Sequence, residues 1–253
     1  MKEVFNESDS SFYDTEYFLS MESRYISGAH KKRVEVILKL MGNVSGKKIL
    51  DFGCGEGFIG NELAKKGAQV TGIDYAEAGI RLARERFRDI DFKIGDASTL
   101  NKFKQENFDA VLLIDVIEHV SEQGKLLDDI KRILKPRGLI LINTDVGLNI
   151  WTKSRLFTKF INFSNLFSSS GKAYRTIKKI EAPRKTLKNY HLSHIGLLSY
   201  LGLKKLLSQH GFVINRHIVY PLISVPLRDV FFRFLPKKQQ GDHQCVLAQK
   251  KGL

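Results

Sequence analysis

Cysteine is almost missing from this chain: Cys54 and Cys245 are the two it has among 253 residues. That excludes a disulfide framework and fits a reducing compartment. Proline is scarce as well, with 5, while hydrophobic residues make up 43% and charged ones 27%. Disordered, collagen-like and low-complexity chains are thereby excluded. No uninterrupted apolar run reaches the ~18 residues that a membrane span needs. The first residues, MKEVFNESDSSFYDTEYF, are too acidic and polar for a signal peptide. These absences together predict a cytoplasmic protein. The length suits one domain with room for an insertion.

Acidic residues are lacking in one part only. Residues 1–145 hold 22 Lys and Arg against 24 Asp and Glu, a net −2, whereas residues 146–253 hold 19 against 3, a net +16. The whole net charge of +14 therefore lies in the second part. Such an asymmetry points to an anionic partner: a membrane surface, a phosphorylated substrate or nucleic acid. A solvated basic face kept for solubility is the plain alternative.

The remaining pattern is an alternation. Residues 28–42 carry Val34, Ile37, Leu38 and Met41 at helical spacing. Strands are predicted at 47–53, 68–74, 90–96, 108–115 and 139–144, with helices at 58–67, 76–87 and 125–135 between them, the last ended by Pro136 and Gly138. Short apolar strands separated by amphipathic helices make right-handed crossovers and a parallel sheet covered on both faces. Residues 146–190, with 10 basic residues and the single acid Glu181, break the pattern. A helix at 196–211 and strands at 212–220 and 242–250 then complete the sheet. Ligands of such sheets bind at the carboxyl ends of the strands. Asp51–Gly57, Asp74, Asp96–Ala97 and Asp115–His119 are thus the places to look for chemistry.

ILDFGCGEG, residues 49–57, is the strongest motif. A buried strand runs into Gly53, Gly55 and Gly57 and then a helix, so backbone can approach a ligand closely at the helix start. The spacing is G-x-G-x-G, not the dinucleotide G-x-G-x-x-G. Asp51 could hold an ammonium group there, and it would oppose a pyrophosphate. A tight turn with no ligand is the plain alternative. Asp74, at the end of the second predicted strand, can accept both ribose hydroxyls of a nucleoside, or merely start the next helix. Asp96 could accept from an adenine amino group while the Ala97 N–H donates to the ring.

These residues resemble the class I S-adenosylmethionine-dependent methyltransferases, in the ubiquinone-biosynthesis O-methyltransferase-like branch. The resemblance implies an α/β fold: a doubly wound, seven-stranded, mostly parallel sheet of Rossmann-like methyltransferase type. A basic helical cap would be inserted after the fifth strand. A single domain over 1–253 would comprise a lead-in and helix (1–45), a cofactor-binding core (46–145), the cap (146–195) and a C-terminal helix and strand pair (196–253). The resemblance also implies that the loop from Asp51 through Gly53, Cys54, Gly55 and Gly57 holds the methionine moiety. Asp74 and Tyr75 would then take the ribose, Asp96 and Ala97 the adenine, and Asp115 would border the cofactor. LKPRGLILINT, residues 134–144, matches a family segment in which a glycine is usual at Arg137.

DVIEHV, residues 115–120, would lie beside the donor methyl. His119 could act as general base on an acceptor hydroxyl, with Glu118 beside it, or the pair could simply pack under the cofactor. In quinone-methylating relatives E-x-x-E-H at this place is associated with a divalent cation. Here Asp115 shortens one arm, so Mg²⁺ is the minor reading and no metal ligand is assigned. Tyr190, His191 and His194, just before the last predicted helix, could face the acceptor, and His191 is the third catalytic candidate. Residues 149–167 place Leu156, Phe157, Phe160, Ile161, Phe163 and Phe167 on one helical face and Arg155 and Lys159 on the other. That suits an interfacial membrane helix or a lid. Residues 220–238 repeat the chemistry. An anionic membrane surface met through both stretches is the expected partner, and nucleic acid is disfavoured.

The sequence thus predicts methyl transfer from S-adenosylmethionine, with S-adenosylhomocysteine as product. The acceptor would be a hydroxyl on a hydrophobic or lipid-linked small molecule, and the enzyme would sit peripherally on the inner face of a membrane. A soluble metabolite or sugar is the second reading. A cofactor-binding but catalytically silent docking protein is the third.

Overall fold

The computed structural model describes residues 13–18, 29–145, 198–220 and 243–252. The predicted cap, the stretch 149–167, nearly all of 220–238, and Tyr190, His191 and His194 lie outside the described residues. Seven strands form one sheet: β1 (Lys48–Phe52), β2 (Gln69–Asp74), β3 (Asp91–Ile94), β4 (Phe108–Ile114), β5 (Leu134–Asp145), β6 (Phe212–Tyr220) and β7 (His243–Lys250). Their order is β3-β2-β1-β4-β5-β7-β6. β1 to β5 pair in parallel, and β7 runs antiparallel to both β5 and β6. The order reverses between β1 and β4, which is where a doubly wound sheet opens a crevice for ligands.

Successive strand residues feed opposite layers. Leu50, Val111, Leu113, Ile140 and Ile142 pack with Leu126, Leu127 and Ile130 of α4 (Gln123–Ile133) and Leu203 and Leu207 of α5 (Tyr200–Gln209). Ile49, Val70, Leu112 and Leu141 pack on the other side. They meet Ile37 and Leu40 of α1 (Ala29–Met41), Ile59 and Leu63 of α2 (Phe58–Ala64), and Ile80 and Ala83 of α3 (Glu77–Arg86). Each layer buries side chains worth roughly 1.5–3 kcal/mol apiece when fully removed from water, which fixes the carboxyl ends of the strands in space.

Two differences from expectation are informative. α4 stops at Ile133, before Pro136, and Leu134–Gly138 form the start of β5. Register slips there, Phe108 facing Leu134 while Ala110 faces Leu139, so β5 bulges. Arg137 sits inside the bulge at φ 60°, the left-handed region that explains why glycine is usual at that position. The 3-10 turns Ala97–Lys102 and Ile117–His119 carry no periodic signal and were not expected. Among the described residues no helix is long and apolar enough to cross a membrane.

Candidate functional site

The glycine loop leaves β1 as a tight arch. Gly53, Gly55 and Gly57 take φ of 79°, 51° and 81°. The Gly53 and Cys54 N–H groups both donate to the Ile73 carbonyl, at 2.7 and 3.0 Å, tying the arch to β2. The Gly55 N–H donates to Oδ2 of Asp74 at 2.8 Å, and the Ala76 N–H donates to its Oδ1 at 2.8 Å. Asp74 thus holds the loop and the entry to α3 together while standing at the carboxyl end of β2. Burial pushes its carboxyl above the usual carboxylate range.

Asp51 is the anomaly of the site. It is 1% exposed. Neither carboxylate oxygen has a well-formed hydrogen bond, apart from a loose approach of the Gly60 N–H. Burial first, and the Asp74 charge second, push its carboxyl up to about 7. A buried carboxylate without a partner is costly, and a ligand ammonium would remove that cost. This is the observation on which the fit of S-adenosylmethionine rests.

The other cofactor candidates frame the same arch. Cys54 is half-buried, and burial together with the Asp51 and Asp74 charges pushes its thiol well up, so it is no nucleophile. Asp96 caps the turn Ala97–Lys102: its Oδ1 accepts from the Ser98 N–H at 2.9 Å and from the Ser98 hydroxyl at 2.6 Å. The side chain is exposed and Ala97 is buried, so this acid meets the cleft as a cap. Aromatics from the N-terminal part close the rim. The Tyr13 ring meets Tyr75 edge-on with centroids 5.7 Å apart. Phe18, 4% exposed, lies over the glycine arch so closely that a Cβ on Gly55 would meet its ring at 3.3 Å. Nothing in the sequence marked Phe18 beyond its being apolar in a polar stretch.

At the end of β4 the chain turns through Asp115, a non-glycine residue at φ 54°, whose N–H donates to the Asn143 carbonyl at 2.8 Å. Nη1 of Arg33, from α1, lies 2.6 Å from Oδ2 of Asp115, and Arg33 is 3% exposed. Oδ1 of Asp115 is buried with no hydrogen-bond partner among the described residues. Glu118 is buried beneath it. Burial and the Asp115 charge push the Glu118 carboxyl up to about 8, with Thr144 offsetting part of the shift. His119, half-buried, ends the same 3-10 turn. The structure therefore brings Asp115, Glu118 and His119 to one strand end. The donor set offers a divalent cation little, because Oδ2 of Asp115 already meets a guanidinium and burial raises the Glu118 carboxyl. Among the described residues no cluster of three or more His, Cys, Asp or Glu could hold a metal.

Two of the ion pairs that escaped the sequence reading stand at strand ends. Arg33 was readable in principle: it stands at i relative to Val36, Ile37, Leu40 and Met41, on the apolar stripe of α1, where a cation demands a partner. The second pair joins His243 Nε2 to Asp145 Oδ1 at 2.8 Å. It follows from the pairing of β5 with β7, which places Asp145 opposite His243.

Residues 43–162 match the family described as Methyltransferase domain. A ubiquinone biosynthesis O-methyltransferase of Alkalilimnicola ehrlichii is 31% identical over 129 residues, 49% of this chain and 51% of that protein. Its namesake from Maricaulis maris is 41% identical over 103 residues, 39% and 41% of the two chains. The chain spans about half the length of the curated relatives it matches. Magnesium protoporphyrin IX methyltransferase of Synechocystis, solved with its bound S-adenosylhomocysteine, has a TM-score of 0.61 at 17% identity, covering 96% of this chain and 98% of that one. An S-adenosylmethionine-dependent methyltransferase of Mesorhizobium loti has a TM-score of 0.58 at 18% identity, covering 88% and 99%. Both structures share the fold. Residues 43–162 are a methyltransferase domain, and over about half its length the chain is similar to the ubiquinone biosynthesis O-methyltransferases.

Proposed function

We propose that the protein transfers a methyl group from S-adenosylmethionine to a hydroxyl on a hydrophobic or lipid-linked small molecule, working peripherally at the inner face of a membrane. The donor half rests on Asp51, a buried carboxylate without a well-formed hydrogen bond behind an arch of left-handed glycines. The acceptor half is supported by the role named for the relatives and by the basic, aromatic stretches 149–167 and 220–238.

Asp51 would take the cofactor's ammonium, the arch from Gly53 through Cys54 and Gly55 to Gly57 its methionine backbone, and Asp74 with Tyr75 the ribose. Asp96 and Ala97 would face the adenine, and Asp115 would border the reacting end. When bound, the cofactor supplies a methyl group on a positively charged sulfur, already a strong donor. The chain's own part is to position that end, to exclude water with Phe18 and Tyr13, and to accept the proton of the hydroxyl.

Asp51 gives this reading a pH signature. An ammonium needs the ionised carboxylate, so affinity is full above about 7 and is lost as pH falls through that value. Calorimetry with S-adenosylhomocysteine is expected to show about tenfold weaker binding at pH 6 than at pH 8, with proton release on binding near neutrality. Asp51→Asn removes the dependence along with most of the affinity. The same raised value makes the ligand-free fold lose stability as pH rises from 3.8 towards 7, because the unfolded chain gives up this proton first. The Arg33–Asp115 pair gives a second expectation. EDTA leaves turnover within about twofold, and a complete loss rescued by Mg²⁺ would contradict it.

The acceptor is tested with a decyl-substituted hydroquinone and decyl glucoside in anionic mixed micelles, following S-adenosylhomocysteine. Flotation is measured in parallel with vesicles of phosphatidylcholine alone or mixed with phosphatidylglycerol. Turnover of a decyl-bearing hydroxyl is expected, with flotation on the anionic vesicles weakened but not abolished by salt. Cofactor binding without turnover would favour the silent docking protein. Turnover of short-chain acceptors alone, without flotation, would favour a soluble metabolite.

A further inference from the structure

α3 carries a seat for the Phe18 ring. Gly79 stands in the first turn of that helix without the left-handed φ that Gly53, Gly55 and Gly57 adopt. Glycine is a poorer helix former than alanine, so its place there has another cause. A Cβ on Gly79 would meet Cζ of Phe18 at 2.8 Å, Cε2 at 3.1 Å and the Gly55 carbonyl carbon at 3.2 Å. Cε1 of the same ring faces Gly55, where an added Cβ would lie 3.3 Å away. The ring is thus wedged between the glycine arch and α3, which is why Phe18 is so deeply buried.

Residues 13–18 fasten the ring from the other side. Asp14 starts their helical turn: its Oδ1 accepts from the Tyr17 N–H at 2.8 Å and its carbonyl from the Phe18 N–H at 3.3 Å. Nη2 of Arg81, on α3, donates to Oγ1 of Thr15 at 2.8 Å in an exposed position. Tyr17 meets Tyr13 and Phe18 edge-on, with centroids 5.0 and 5.2 Å apart. Tyr13 in turn meets Tyr75, the residue after Asp74. Phe18 packs with Ala76 and Leu82 in a small cluster separate from the two core layers of the sheet. Such a cluster can part while those layers stay packed.

We propose that residues 13–18 are a strap that latches the cofactor into its cleft and sets the rate at which S-adenosylhomocysteine leaves. Phe18 is the latch and Gly79 the residue that positions it. The proposal rests on the cofactor reading above. Phe18 covers the arch assigned to the methionine moiety, and Tyr13 flanks Tyr75 on the ribose side, so one short segment spans both parts of the donor site. A ligand behind it enters and leaves when the strap lifts. Release of product through such a closure limits turnover in many enzymes.

The test follows release of tritiated S-adenosylhomocysteine into excess unlabelled ligand, beside affinity by calorimetry. Phe18→Ala is expected to speed release about tenfold while weakening affinity only about threefold, because a loosened strap also quickens entry. Affinity weakened as much as release is quickened would make Phe18 an ordinary contact and overturn the strap. Should Phe18→Ala fail to fold, Thr15→Val carries the test. It removes the bond to Arg81 at the exposed rim and is expected to speed release about threefold; unchanged release would overturn the strap. Gly79→Ala is expected to speed release about as much as Phe18→Ala, and the double variant no more than either, since both act on one contact. Effects that multiply would mean that Gly79 acts through Gly55, and would overturn its assignment as the seat. A parent protein that binds S-adenosylhomocysteine, with parental release in every variant, would overturn the strap and leave the cofactor reading standing. A parent that binds none would overturn that reading, and the strap with it.

Discussion

Replacing Asp74 by alanine is expected to reduce affinity for S-adenosylhomocysteine by about 100-fold or more, read by calorimetry. Two contributions add. A carboxylate accepting ribose hydroxyls contributes about 1.5–3 kcal/mol for each hydrogen bond to a charged group. The same carboxylate holds the Gly55 and Ala76 N–H groups, each at 2.8 Å, so its loss also frees the arch that carries the ligand. A third effect opposes these. Asp74 is the second cause of the raised Asp51 carboxyl, so without it Asp51 ionises more readily and partly restores the ammonium site. Asp74→Asn separates the terms: it keeps one acceptor oxygen and removes the charge. It is expected to fall between the parent and Asp74→Ala in affinity, with the pH dependence of binding moved to lower pH. Affinity unchanged in both variants would remove Asp74 from the site.

The second large effect is on stability. Gly57 stands at φ 81°, and a Cβ there would meet Cζ of Phe92 at 2.6 Å, Cε1 at 2.9 Å and the Ala83 Cβ at 3.2 Å. Phe92 is 3% exposed and packed in the core, so it cannot move aside without disturbing α3. Left-handed strain of roughly 1 kcal/mol and overpacking of roughly 1–3 kcal/mol together predict a loss of about 3 kcal/mol in Gly57→Ala. In a chain of this size that lowers the thermal midpoint by about 8 °C. Gly42 is the control. Its φ is 64° but nothing lies within 4 Å of the added atom, so Gly42→Ala carries the strain alone and should cost about 1 kcal/mol. Circular dichroism melts of the two variants measure the difference. Equal losses would mean that Phe92 does not confine the arch.

Much of this was legible in the sequence, for physical reasons. The strands are short apolar runs set between amphipathic helices, and burial on both faces of a parallel sheet demands that pattern. The glycine arch was legible because glycines at alternate positions after a strand serve left-handed turns. Asp51 and Asp74 stood out as acids at strand ends, where the sheet places ligands. The sequence did not show that Asp74 also ties the loop to α3. Nor did it show that Asp115 is held by Arg33, or that burial raises the Glu118 carboxyl. Those facts depend on which side chains become neighbours and on how dry their surroundings are, neither of which has a local signature. The Asp145–His243 pair is the plainest case, because only the β5–β7 register makes the two residues neighbours. The bulge before Leu139 was misjudged because Pro136 suggests a helix stop, while tertiary pairing had already begun β5 at Leu134.

The account turns on a cleft built for a cationic nucleoside ligand and against a dinucleotide, and calorimetry on the parent protein with S-adenosylhomocysteine and, separately, NADH tests that most directly. The expected result at pH 8 is a dissociation constant for S-adenosylhomocysteine below about 100 µM, or roughly −5.5 kcal/mol or better, with no detectable heat from NADH. Binding of NADH with no response to S-adenosylhomocysteine would contradict it.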